Sequence, residues 1–256
     1  MKFILNDLAI ETTRKCNMKC EHCMRGLSQN IDITPELIDM IFDNEEIAGI
    51  NHICFSGGEP TLNPNIIIYT INKIIEQNLN VWEIVMVTNG QIFNRELLEA
   101  FNRFNEYRNK NNLENNNQSC VRITFSNDKY HYPIKQEVKD NYYSYSRGIR
   151  FTENDIEEKD IYKTGFSTIG KDFDYKLDQL RYCKEGDLYF VIDNIYITAK
   201  GYMTSEGMGQ YTDMDRINMG HISDTTLQEA LSKYGKPVFN APKIVYPTIE
   251  EKGKLI

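Results

Sequence analysis

The sequence predicts an α/β fold made of parallel βα units, and three observations predict it. Short apolar strand runs alternate with amphipathic helix runs through the first half of the chain. Two of the helix runs open on a capping residue followed by proline, Thr34–Pro35 and Asn63–Pro64. The strand runs are separated by helix-length segments, which suits right-handed crossovers between parallel neighbours. Such a sheet curls toward a barrel or an open barrel.

Taken in order, "LAIETT" (8–13) reads as a strand running straight into a cysteine-rich loop. A helix is expected over 32–46, a buried strand over 50–56 and a second helix over 63–78. "VWEIVMVTNG" (81–90) is a strand ended by a glycine turn, and 94–110 is an amphipathic helix. The Asn-rich 111–118 is a solvated loop, and "CVRITFS" (120–126) is the fourth strand. Beyond residue 130 a short helix and then a strand are expected, while the charged 153–175 has no clear assignment. Residues 187–207 read as two strands, joined near Asn194 or turning at Lys200–Gly201. A capped helix over 224–235 stops at Gly235, and a tail with prolines at 237, 242 and 247 is expected to be irregular.

Composition narrows the function. The 256 residues suit one large domain, with 41% apolar and 26% charged residues and a net charge of −8. An acidic chain is a poor match to a nucleic-acid backbone. The N-terminal apolar run breaks at Asn6 and Asp7, so it is no signal peptide. No apolar stretch approaches the ~20 residues of a membrane span. These features predict a cytoplasmic protein.

The chemistry concentrates in "TTRKCNMKCEHCMRG" (12–26), where Cys16, Cys20 and Cys23 follow a C-x3-C-x2-C spacing. Crowded thiols in a reducing compartment point to metal or redox work. Structural zinc wants four ligands in two pairs. A fourth would have to be His22, which awkwardly adjoins Cys23, or the distant Cys54. Three thiolates suit an iron–sulfur cube with one iron left open.

This spacing after a first strand resembles the radical S-adenosylmethionine (SAM) superfamily. "FSGGEPTL" (55–62) resembles that family's GGEP motif, although read alone it is also a turn before a helix. The resemblance implies a partial (β/α)6 TIM-like open barrel with a short C-terminal α+β extension. It implies one [4Fe–4S] cluster on Cys16, Cys20 and Cys23, with SAM on the open iron. It places His22 near the adenine, the backbone of Gly57 and Gly58 and the Glu59 carboxylate on SAM's amino group, and Asn89 of "VTNG" beside the cofactor. Ser126 and Asp128 of "FSNDKYH" match an S-x-D pattern near the ribose; Arg147 and Arg150 are both candidates for SAM's carboxylate. His131 serves the substrate or is a packing residue. The implied reaction is reductive cleavage of SAM into methionine and a 5′-deoxyadenosyl radical that abstracts hydrogen from a substrate. A low-potential electron donor, flavodoxin- or ferredoxin-like, is an implied partner.

Residues 181–231 resemble the start of a SPASM or twitch extension, which in relatives holds further clusters. Cys183 and Gly201 match that pattern, whereas Ser205 stands where a second cysteine is expected. The predicted division is a barrel core over 1–183, then the last barrel strand and a cysteine-poor extension over 184–256. The extension favours a peptide or protein substrate, with a small metabolite or nucleotide as the alternative. A non-catalytic iron–sulfur sensor is the reading of a different class.

Overall fold

The computed structural model describes residues 1–20, 23–111, 119–154, 177, 179–205 and 209–239. Five strands, β1 (Lys2–Thr13), β2 (Ile47–Gly57), β3 (Val81–Thr88), β4 (Val121–Ser126) and β5 (Arg150–Asn154), lie side by side in chain order, all parallel. Between them run α1 (Pro35–Phe42), α2 (Pro64–Glu76), α3 (Arg95–Asn111) and α4 (Gln136–Tyr145). On the other side of β1, β7 (Leu188–Ile197) adds a sixth parallel strand and pairs antiparallel with β6 (Leu180–Glu185). The fold is a TIM-like partial barrel whose sheet stays open among the described residues. The expected division at 183/184 falls inside β6.

The remaining elements form a small C-terminal layer. β8 (Tyr202–Thr204) turns back on β7 after Lys200–Gly201, and β9 (Gly220–His221) pairs with β8. α5 (Tyr211–Arg216) and α6 (Leu227–Tyr234) follow, and β10 (Gly235–Pro237) joins the edge of β6. Pro237 therefore sits in an edge strand, where a missing N–H is tolerated. Prolines 242 and 247, and nearly all of the unassigned stretch 153–175, lie outside the described residues.

Strand alternation divides the sheet into two faces. Leu8, Ile10, Ile53, Phe55, Ile84, Met86, Ile123 and Phe125 are at most 2% exposed and pack under the helices. The other face mixes a small apolar cluster around Ala9 and Tyr196 with polar pairs. Asp7 lies opposite both His52 and Asn194, His52 opposite Glu83, and Arg122 opposite Arg150. This explains one difference from the sequence expectation. β1 begins at Lys2 rather than Leu8, because Asn6 and Asp7 break the apolar run without ending the strand. The ladder to β7 is irregular there, between Leu5 and Asp7.

Helix starts follow the sequence with one exception. Thr34 caps α1, accepting from the Leu37 N–H, and Thr226 forms a capping box with Glu229 on α6. Asn63 occupies the cap position of α2, but its side chain donates instead to the Thr12 carbonyl at 2.9 Å. That bond ties the start of α2 to the end of β1.

Candidate active site

Because β1 to β5 are parallel, Thr13, Gly57, Thr88, Ser126 and Asn154 end their strands on the same edge of the sheet. The cysteine loop leaves β1 at this edge and folds back on itself. The Arg14 N–H donates to the Ile31 carbonyl (2.8 Å) and the Gln29 N–H to the Arg14 carbonyl (3.0 Å). The Cys16 N–H donates to the Ser28 hydroxyl at 3.0 Å, and the Thr13 hydroxyl donates to Asp32 at 2.6 Å.

The Gly57–Gly58 turn is pressed against the root of that loop. The Gly58 and Glu59 N–H groups donate to the Thr13 and Lys15 carbonyls, each at 2.8 Å. A Cβ on Gly58 would stand 2.2 Å from the Lys15 oxygen, and one on Gly57 would stand 2.3 Å from the Thr13 oxygen. Gly57 also has φ +143°, a conformation that side chains rarely adopt. Only glycine lets the two backbones meet this closely.

The Glu59 carboxylate is buried and hydrogen-bonded on both oxygens. Oε1 accepts from the Thr61 N–H (3.0 Å), the Thr61 hydroxyl (2.7 Å) and the Thr88 hydroxyl (2.7 Å), and Oε2 accepts from the Asn89 N–H (2.8 Å). Four donors satisfy a charge that burial would otherwise penalise. The carboxylate thus joins the turns after β2 and β3. Asn89 extends the chain of bonds, donating through its side chain to Asn17 of the cysteine loop at 2.8 Å.

Cys16, Cys20 and Cys23 are half-buried free thiols. Burial pushes Cys20 up to about 11, and negative charge on Cys16, Cys23 and Asp128 adds to the effect. Cys16 is raised chiefly by burial, with the charges of Glu59 and Cys23 adding to it. Cys16 and Cys20 therefore sit where anionic charge is disfavoured unless a cation compensates it. Among the described residues, no three His, Cys, Asp or Glu side chains meet in metal-holding geometry. The donor set and its crowding fit an iron–sulfur cluster. His22 lies outside the described residues.

Ser126 ends β4, and Asp128 follows it beside the cysteine loop. Asp128 Oδ1 accepts from the Tyr130 N–H and contacts the His131 ring, both at 2.9 Å. Asp128 Oδ2 is buried with no hydrogen-bond partner, an acceptor suited to a hydroxyl donor. Arg147 and Arg150, in contrast, lie at the wrong edge. Arg147 precedes β5 and pairs with Glu106 and Glu99 of α3, while Arg150 opens β5 and pairs with Glu83. Both are at the N-terminal end of the strand, opposite the cysteine loop.

The structure also brings in residues that the sequence did not single out. Glu11, Arg14, Arg25, Tyr196, Tyr211 and Asp215 surround the two ends of the cysteine loop. Glu11 carried one legible signal, a charge inside an otherwise buried strand run.

Comparison with known proteins agrees with this architecture. A sequence model of the Radical SAM superfamily matches residues 10–109. The probable GTP 3′,8-cyclase of Methanocaldococcus jannaschii is 35% identical over 91 residues, 34% of this chain and 29% of that protein. The GTP 3′,8-cyclase of Clostridium acetobutylicum is 35% identical over 89 residues, 32% of this chain and 27% of that protein. The match thus spans under a third of the length of these curated relatives. Among solved structures, anSMEcpe with bound AdoMet and the Cp18Cys peptide superposes with a TM-score of 0.56 at 13% identity. That superposition covers 90% of this chain and 80% of that one, a likeness of fold.

Proposed function

We propose that the chain is a radical SAM enzyme, an iron–sulfur protein that opens SAM reductively to start a radical reaction on a peptide or protein. The observation that carries this reading is the C-x3-C-x2-C loop at the C-terminal end of β1, seated on the Gly57–Gly58 turn. Cys16, Cys20 and Cys23 would hold one [4Fe–4S] cluster. When bound, the cluster supplies the electron that splits SAM into methionine and a 5′-deoxyadenosyl radical. The protein's part is to bind, orient and exclude water.

The backbone at Gly57 and Gly58 lines the place for SAM's amino group. Glu59 acts behind it, fixing the turn instead of pairing with the ammonium. Asn89 lines the same edge. Ser126 and Asp128 face the ribose, with Asp128 Oδ2 accepting from a hydroxyl. His22 offers a flat ring to the adenine. A low-potential donor of the flavodoxin or ferredoxin kind supplies the electron.

The C-terminal layer supports a peptide substrate. It contains a hairpin at Lys200–Gly201, short β9 and capped α6, and the support rests on the sequence resemblance of 181–231 to a SPASM or twitch start. A nucleotide substrate is the second reading, favoured by the identity to GTP 3′,8-cyclases over about a third of the chain. Anaerobic incubation of the reconstituted protein with SAM and dithionite tests the core of the proposal. The expected result is release of 5′-deoxyadenosine; a protein that carries the cluster and releases none is a binding module instead. Faster release on adding GTP would favour the nucleotide reading.

A further inference from the structure

Both ends of the cysteine loop are gripped by the C-terminal layer. At its start, Arg14 has no exposed side-chain surface. Its Nε donates to Glu11 Oε1 at 2.7 Å, and its two terminal nitrogens donate to the Asp215 carboxylate at 2.9 and 2.6 Å. The Tyr211 ring lies 4.6 Å from the Arg14 guanidinium carbon. Tyr211 and Asp215 are one turn apart on α5. At the loop's end, just past Cys23, the Arg25 guanidinium sits 4.8 Å over the ring of Tyr196 on β7 and donates to the Met214 sulfur. The Tyr211 N–H donates to the Arg25 carbonyl at 3.2 Å. α5 therefore touches the chain on both flanks of the three cysteines.

We infer that α5 is a clamp on the cysteine loop, and that Asp215 is a positioning residue for the cysteines. The bidentate pair fixes the guanidinium plane, and Arg14 lies only two residues before Cys16. Lys200 donates to the same carboxylate at 2.7 Å, so Asp215 joins the β7–β8 turn to the loop as well. The layer serves the cysteine loop by holding it. The inference extends the proposed function, but its first readout needs no iron.

The test compares the wild-type chain with Asp215→Asn and Asp215→Glu, all free of iron, by amide hydrogen exchange. For Asp215→Asn we expect about tenfold faster exchange across residues 14–30, with β2 to β4 unchanged. Asp215→Glu, which keeps the charge, should restore most of the protection. After anaerobic reconstitution, Asp215→Asn should take up less iron and give a broadened spectrum of the reduced cluster. Unchanged exchange in the loop would overturn the clamp, as would equal acceleration throughout the sheet. Should Asp215→Asn fail to fold, Tyr211→Leu removes the ring beneath Arg14 and must show the same loop-selective change, smaller in size. Loop-selective exchange in a chain that binds no cluster would leave the clamp standing and defeat the proposed function.

Discussion

On its β2–β3 side the cysteine loop is held by backbone and neutral donors; on its β7–α5 side it is held chiefly by two arginines, one in ion pairs and one on an aromatic ring. The first side consists of two glycines, two backbone hydrogen bonds and the Glu59 hub with Thr61, Thr88 and Asn89. The second consists of Arg14 with Glu11 and Asp215, and Arg25 stacked on Tyr196. The backbone side tolerates no change of volume, because the facing atoms are carbonyl oxygens that cannot turn away. The charged side tolerates changes of shape better than changes of charge, since a buried ion stripped of its partner is costly.

Three substitutions sharpen this contrast, in descending size. Gly58→Ala places a Cβ 2.2 Å from the Lys15 oxygen, so the loop root has to move. A loss of about 3 kcal/mol in denaturant unfolding is expected, at the upper end for overpacking. A stable Gly58→Ala protein with normal iron loading would show that the close approach is dispensable. Glu59→Gln keeps the shape but turns a donor toward Thr61, Thr88 or Asn89. We expect it to cost about 1.5–3 kcal/mol, the range for hydrogen bonds to a charged group. If stability holds and only SAM affinity falls, Glu59 meets the ligand directly and its reading as a hub is wrong.

The smallest effect lies among the polar pairs below the site. His52 has its pKa raised above 6.5, chiefly by its hydrogen bond to Asp7, with burial and Arg122 opposing and Glu83 adding to the rise. A raised folded pKa contributes stability that is complete below the unfolded value and fades as pH rises through the folded value. Thermal melts from about pH 5 to 9 should show that decline, and it should be absent from His52→Asn. Partial exposure keeps the effect below about 1 kcal/mol. A pH profile identical in the two proteins would rule out the Asp7–His52 pair as a contributor.

The same contrast governs what was legible in the sequence. The first four strands, the Thr34 cap and the cysteine spacing are local patterns, each set by periodicity or by one side chain and its neighbours. The glycine pair was legible too, because close backbone approach demands glycine. Arg14–Asp215 joins residues 201 positions apart, and no local pattern announces it. β6 was missed because "LRYCKE" is half polar and pairs at its edges with the short β10. Arg147 and Arg150 were candidates because the resemblance calls for a basic residue on a later strand, and the start of β5 puts them at the opposite edge. The Glu59 hub was not legible, because its partners Thr88 and Asn89 come from the end of β3 and the turn after it.

Counting iron tests the central claim most directly, that one cluster sits in this loop and nowhere else. A cube of this type needs three or four thiolates converging on it. Outside the loop, Cys54 lies within β2, Cys120 just before β4 and Cys183 on β6. Burial pushes the Cys54 thiol up to about 11, which disfavours the thiolate a metal requires. After anaerobic reconstitution, the protein should hold about four irons per chain, and the variant with Cys16, Cys20 and Cys23 all changed to Ala should hold almost none. About eight irons in the wild-type chain, or a residual cluster spectrum in the triple variant, would contradict this.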